Sequence, residues 1–231
     1  MMKRIVLLSI AICLYASMQA QHTKGDFSFV PKVGLDLSKF TNDEIHVDID
    51  GKTVKSSYKE GLTAGFDAEY FLHEHASLSA GIYYMNMGSR YKDFMGEDDQ
   101  SGTGWSHFRT TMEFMQIPLM GSLHLDNGLS VKLGVQLGHM IHSKISYEMQ
   151  SWTRDEDGAR EYSDPIKSDG DIVDEWKKKF YFGIPVALAY EYQNVILEAR
   201  YLRSLTHPMK SDVYKESHHS TFLFTVGYRI K

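Results

Sequence analysis

Six ionisable residues stand at positions that alternate with bulky apolar ones: Lys32, Asp67, Glu69, Lys132, Glu198 and Arg200. Successive side chains of an extended chain point to opposite faces, so each of these faces away from the greasy side of its own segment. Charges shut away from water need counter-charges, and a guanidinium with five donors can bridge two carboxylates. Arg200 is therefore expected to bridge Glu69 and Glu198, and the set as a whole to form a buried ion-pair network. A proton path or a gated narrow pore is the sharper use of the same residues.

Other reactive residue types lack the spacing that chemistry requires. Eleven histidines are present, but His73 with His75, His139 with His142, and His218 with His219 lack the companion ligands of a zinc motif. His139 or His142 beside Ser143 supplies two of the residue types of a lipid hydrolase, without a placed carboxylate. The acidic runs Glu97–Asp99, Asp155–Asp157 and Asp169–Asp171 offer hard oxygen ligands but do not match the ordered calcium-loop template. No metal site and no cofactor is expected. Trp105 and Trp152 lie in polar stretches and are the candidates for loop-mediated binding of a protein or glycan.

The elements that must position these residues read as strands. In Leu129–His142, Leu129, Val131, Leu133, Val135 and Leu137 alternate with Ser130, Lys132, Gly134, Gln136 and Gly138. The same period of two recurs in Phe27–Ser38, Tyr58–Leu72, Ser77–Met87, Arg109–Leu125, Lys178–Tyr192, Val195–Leu205 and the run from Thr221 to Ile230. Segments of about 10–15 residues exceed the five or six usual in soluble sheets. At Met85-Asn86-Met87 the alternation blurs, which suggests a bulge or a strand exit.

Connection lengths alternate as well. Residues 73–75, 126–128 and 193–194 are tight turns, whereas 39–57, 90–107, 143–177 and 206–217 are long and polar. An up-and-down antiparallel order puts every tight turn at one end and every long loop at the other, as in outer-membrane barrels. The bulky face is ungapped and the opposite face mixes glycine with charge, the inversion that lipid demands. Tyr58, Tyr70, Tyr84, Phe180, Tyr190, Tyr192, Tyr201 and Tyr228 suit aromatic girdles. The expectation is an eight-stranded antiparallel transmembrane barrel with short periplasmic turns and long extracellular loops.

Residues 1–20 read differently. Lys3 and Arg4 precede the apolar run Ile5–Tyr15, and Ala16–Ala20 leads to Gln21, the order of a cleaved secretory signal. Residues 21–231 then form a single domain. Ile12 before Cys13 argues against lipidation, and Cys13 is the sole cysteine. Removing the signal deletes two basic residues and no acidic one, so the formal charge moves from −5 to −7. An acidic balance argues against a nucleic-acid partner. Beyond residue 20 no run of about eighteen apolar residues occurs, so no helix is expected to cross a bilayer.

Five stretches carry a family likeness: KVGLDLS, EFMQIPLM at 113–120, VKLGVQLG at 131–138, FGIPVALAYEY at 182–192 and VILEARYLRSLT at 195–206. Through them the chain resembles the outer-membrane beta-barrel domain proteins of Bacteroidetes, with the PorT type among the relatives, from about Phe27 to Ile230. The resemblance implies location in the outer membrane and an eight-stranded shape, and it carries no catalytic residue. Many outer-membrane strands end on a terminal aromatic, whereas this one ends Tyr228-Arg229-Ile230-Lys231. The implied partners are outer-membrane lipid and the barrel assembly machinery, with an extracellular protein or glycan as a candidate ligand. The function this favours is non-enzymatic: binding, adhesion or envelope integrity through displayed loops. The alternatives are a lipid-modifying enzyme or a narrow transport barrel.

Overall fold

Leu62, Leu133 and Leu197 point outward, at 66%, 59% and 52% exposed, while Lys32, Asp67, Glu69, Lys132, Glu198 and Arg200 are all buried. The computed structural model describes residues 23–41, 44–47, 52–173, 177–207 and 217–231. The expected signal segment and most of loop 206–217 lie outside the described residues.

The described residues form twelve strands, not eight. They are β1 (Phe27–Thr41), β2 (Glu44–Val47), β3 (Lys52–His73), β4 (Ala76–Tyr91), β5 (Phe94–Glu97), β6 (Ser101–His124), β7 (Leu129–Arg154), β8 (Arg160–Tyr162), β9 (Ile166–Asp171), β10 (Phe180–Tyr192), β11 (Val195–Ser204) and β12 (His218–Tyr228). Eight of them close a ring in the order β1–β3–β4–β6–β7–β10–β11–β12, and every pairing is antiparallel. Closure comes from β1 against β12, with Leu35 opposite Phe224. Among the described residues no helix is long and apolar enough to cross a membrane, and the outward apolar faces belong to strands.

The count differs because three of the expected loops, 39–57, 90–107 and 143–177, are partly sheet. β6 and β7 stay paired up to Ser101 opposite Thr153, well past the last ring pairs of their neighbours. On the flank of β6 that β4 leaves, β5 pairs Phe94 with Trp105. On the flank of β7 that β10 leaves, β9 and then β8 take over. These segments are polar because water lies on both sides, so hydropathy alternation fades although backbone pairing continues. β2 likewise pairs the start of β3, Glu44 opposite Lys55. From His139 to Arg154 the overhang of β7 is about 50 Å of strand.

Of the bulge or strand exit suggested at 85–87, the exit does not occur, but the register of β3 on β4 slips by one residue between Tyr58–Ser89 and Thr63–Met85. Met85 and Met87 are both buried inside the ring, and β4 continues paired to Tyr91. Alternation blurred there because the inward face turns apolar at that height. The tight turns follow their chemistry: Gly128 takes φ +82° and the Leu129 N–H donates to Asn127 Oδ1 at 3.1 Å. Gln193, first of the two residues between Tyr192 and Val195, takes φ 55°.

Candidate functional site

The inward residues of β1, β3, β7 and β11 meet at one height. Lys32 Nζ lies 2.7 Å from Asp67 Oδ2 and 2.7 Å from Glu198 Oε2. Lys132 Nζ is 3.4 Å from the same Glu198 oxygen. Arg200 Nε donates to Glu198 Oε1 at 2.8 Å, and its Nη2 lies 2.6 Å from that oxygen. One carboxylate thus holds three cations. The Arg200 guanidinium also sits 5.2 Å from the Tyr83 ring, and that ring lies against Gly65, where a Cβ would collide with it.

Glu69 lies nearer the tight-turn end, outside direct contact with this cluster but within the field of Lys132. Arg229, just past β12, donates to it through Nη1 at 2.9 Å and to Ser28 Oγ at 2.6 Å. Arg229 also grips Glu191 in a two-pronged contact, Nε to Oε1 and Nη2 to Oε2, both at 2.8 Å. Glu69 Oε1 accepts from Ser77 Oγ at 2.5 Å and lies 3.4 Å from His124 Nε2. The expected Arg200 bridge between Glu69 and Glu198 is therefore corrected: Arg200 engages Glu198, and Arg229 serves Glu69. Register explains the change, because Glu198 lies opposite Thr225 whereas Glu69 pairs with Ser28 near the floor. Each group alone is unbalanced, but Lys32, Lys132, Arg200 and Arg229 together match Asp67, Glu69, Glu191 and Glu198.

Above this network the interior is mixed: Asp36 and Lys59 are buried there, Lys59 Nζ donating to Asn86 Oδ1 at 2.6 Å, beside a large apolar cluster. Met85, Met87, Met112, Phe114, Met140, Tyr181, Leu202 and Leu223 form one buried cluster, with His219 against Phe114 and Tyr181 at 5.5 Å each. Gln136 Nε2 donates to Gln116 Oε1 and, at 3.1 Å, to Tyr181 OH. Ionic floor, ionic middle and a thioether–aromatic layer thus occupy the interior at three heights.

The overhang carries its own side-chain order. Ile145 packs on the interior cluster, and Tyr147 and Met149 follow on the same face of β7. Across the strands Met149 lies opposite Trp105 and Ile166, and Trp105 opposite Phe94. Phe94 stacks on Trp105 at 5.1 Å and Phe108 on Tyr147 at 5.5 Å. Trp105 is half-buried in this row. Trp152 is on the opposite face and only 2% exposed, with the Arg160 guanidinium 3.9 Å from its ring, so it offers no free ring for a ligand. At the tips Arg154 Nε donates to the Asp99 carbonyl at 2.7 Å and Nη1 to the Gly158 carbonyl at 2.8 Å, tying the two turns together. The backbone N–H groups of Gln100 and Ser101 hold the Asp98 carboxyl below its ordinary pKa, and Lys167 does the same for Glu148.

The hydrolase residue types do not converge. His139 faces outward against the Phe180 ring at 4.6 Å, and His142 lies 3.7 Å from Asp171. Ser143 is fully buried and accepts from Lys177 Nζ at 2.9 Å. Among the described residues no three His, Cys, Asp or Glu side chains are grouped to hold a metal ion.

The family described as outer membrane protein beta-barrel domain matches residues 19–209, and the chain belongs to it; its place is the outer membrane. No curated protein matches the chain. Among solved structures it is similar to Ail, the attachment invasion locus protein of Yersinia pestis, at 14% identity and TM-score 0.41, covering 90% of this chain and 100% of that one. Neisserial surface protein A is similar at 12% identity and TM-score 0.42, covering 88% and 97%. The Ralstonia pickettii toluene transporter TbuX follows at 9% identity and TM-score 0.20, covering 94% and 93%. None of these values transfers a function.

Proposed function

We propose that this outer-membrane protein is a non-enzymatic display scaffold whose projecting sheet binds an extracellular protein or glycan. The observation that carries the reading is the contrast in height. The ring interior is packed with ion pairs and thioether–aromatic contacts, while β5 to β9 continue as paired sheet far past the ring. Side chains that fill a cross-section leave no water column for ions or solutes, whereas a rigid overhang presents a fixed surface. The half-buried Phe94–Trp105 pair beside Met149 is the part of that surface best suited to a flat apolar or sugar face. In this reading residues 1–20 serve as the export signal and 21–231 as one domain. The narrower PorT-type kinship rests on Ile117-Pro118 and Glu198–Tyr201.

The test pairs two measurements on refolded protein. Planar bilayers should show no discrete conductance, and a glycan array with a panel of soluble host proteins should reveal binding that Trp105→Ala weakens. A variant with 92–107 and 147–170 each replaced by a short turn should keep its heat-modifiable gel mobility and lose that binding. Open-channel conductance, or binding unchanged in the shortened variant, overturns the reading.

A further inference from the structure

One patch of the outer wall departs from the plain apolar band. At the loop end of β3, β1, β12 and β11, Lys39 lies opposite Ser220, and Ser220 opposite Arg203. Tyr58 adjoins them, one step beyond the Ser38–Lys59 pair, with Lys39 Nζ 4.8 Å from its ring. The hydroxyls of Tyr58 and Tyr201 converge on Ser220 Oγ at 3.4 and 3.3 Å. Beneath them Phe222 contacts both rings, at 5.9 Å to Tyr58 and 4.9 Å to Tyr201. Neither Lys39 nor Arg203 has an acidic partner among the described residues, and the nearby carboxylate Glu60 is held by Arg90 at 3.1 Å. Two cations two strand spacings apart, about 10 Å, thus flank a cluster of three hydroxyls.

The height of this row fits a lipid headgroup. Phe27 to Lys39 spans about 40 Å of strand, and a tilt of about 40° reduces that to a rise of about 30 Å. The outward apolar band of such proteins is about 25 Å tall, so the row sits at its outer edge. A second observation lies on the same wall. Pro31, Val33, Ala64, Val195, Val226 and Tyr228 line an open apolar groove of about 430 Å³. From Lys39 down to Val33 is six residues of β1, a vertical drop of about 15 Å, which is acyl-chain reach. Leu35 and Phe224, both outward, lie between the row and the groove.

We propose that this wall is a seat for a phosphorylated outer-leaflet lipid. Its phosphate lies between Lys39 and Arg203 beside the Ser220 hydroxyl cluster, and one acyl chain runs down to the Val33–Val226 groove. Charge complementarity selects the phosphate, since fork-shaped guanidinium and ammonium donors bind it in charge-assisted hydrogen bonds. The groove selects a lipid over a free anion.

The experiment is native mass spectrometry of the refolded chain released from detergent micelles. Its probes are phosphorylated lipid A, the same lipid with its phosphates removed, and inorganic phosphate. The wild-type chain should retain the phosphorylated lipid about tenfold more than the dephosphorylated one. The double variant Lys39→Ala/Arg203→Ala should lose that preference while keeping heat-modifiable mobility, and Ala64→Phe, which fills the groove, should lower retention of both lipids. Lys144→Ala, on the overhang, should change nothing. Equal retention of the two lipids by the wild-type chain overturns the proposal, and this reading stands without any variant. Displacement of the lipid by millimolar inorganic phosphate alone, or an unchanged preference in the folded double variant, also overturns it.

Discussion

The ring interior and the overhang both carry close ion pairs, and the two sets weigh very differently. Lys32–Asp67 at 2.7 Å has side chains 1% and 5% exposed, whereas Lys167–Glu148 at 3.0 Å has them 78% and 32% exposed. Distance alone does not rank them. Inside, desolvation makes each charge dependent on its partner, so losing one leaves the others stranded. Outside, water and salt replace a lost partner at little cost. The lower half of the molecule is held by obligatory electrostatics, the upper half by backbone pairing and aromatic stacking.

The largest expected effect is Glu198→Gln. It strands Lys132 and Arg200, leaves Lys32 with Asp67 alone, and should lower stability by about 3–5 kcal/mol, read as a urea midpoint shift in micelles. Adding Lys132→Met should restore part of the loss; a double variant no better than the single would separate Lys132 from the network. Arg229→Met comes next, at about 2–3 kcal/mol, because it leaves Glu69 and Glu191 near a floor that water can reach. Trp152→Ala should leave the urea midpoint of the ring in place and instead expose the 155–165 turn to limited proteolysis. A shifted midpoint would show that the two halves unfold as one unit. Lys167→Ala should stay within about 0.5 kcal/mol. Last, the Asp98 carboxyl is held below its ordinary pKa, so its hold on the 98–101 turn is full above the unfolded carboxylate pKa and is lost as pH falls through the lower folded value. Hydrogen exchange at Gln100 and Ser101 should quicken in acid before the ring amides do, and simultaneous loss would contradict the comparison.

Which parts of this division are visible in the sequence follows from how local each cause is. Outward Leu62, Leu133 and Leu197 and inward Lys32, Glu198 and Arg200 are visible because alternation is a property of neighbours along one strand. Partner choice is not, since it depends on register between strands distant in sequence. That is why Arg229, not Arg200, reaches Glu69. The inward Met85 and Met87 blur the pattern because an enclosed face accepts thioethers as readily as charge. β5, β8 and β9 escape notice because strands wetted on both faces leave no hydropathy trace, and only pairing to β6 and β7 defines them. Trp152 illustrates the same gap: a tryptophan in a polar stretch suggests a ligand contact, but Gly102 opposite it leaves room for its indole to fold down under Arg160.

The position of Arg229 after the final strand has a consequence for assembly order. Until β12 docks, Glu69 and Glu191 lack the guanidinium that joins them. Arrival of the closing segment therefore drives a rivet through the first, second and sixth staves of the wall.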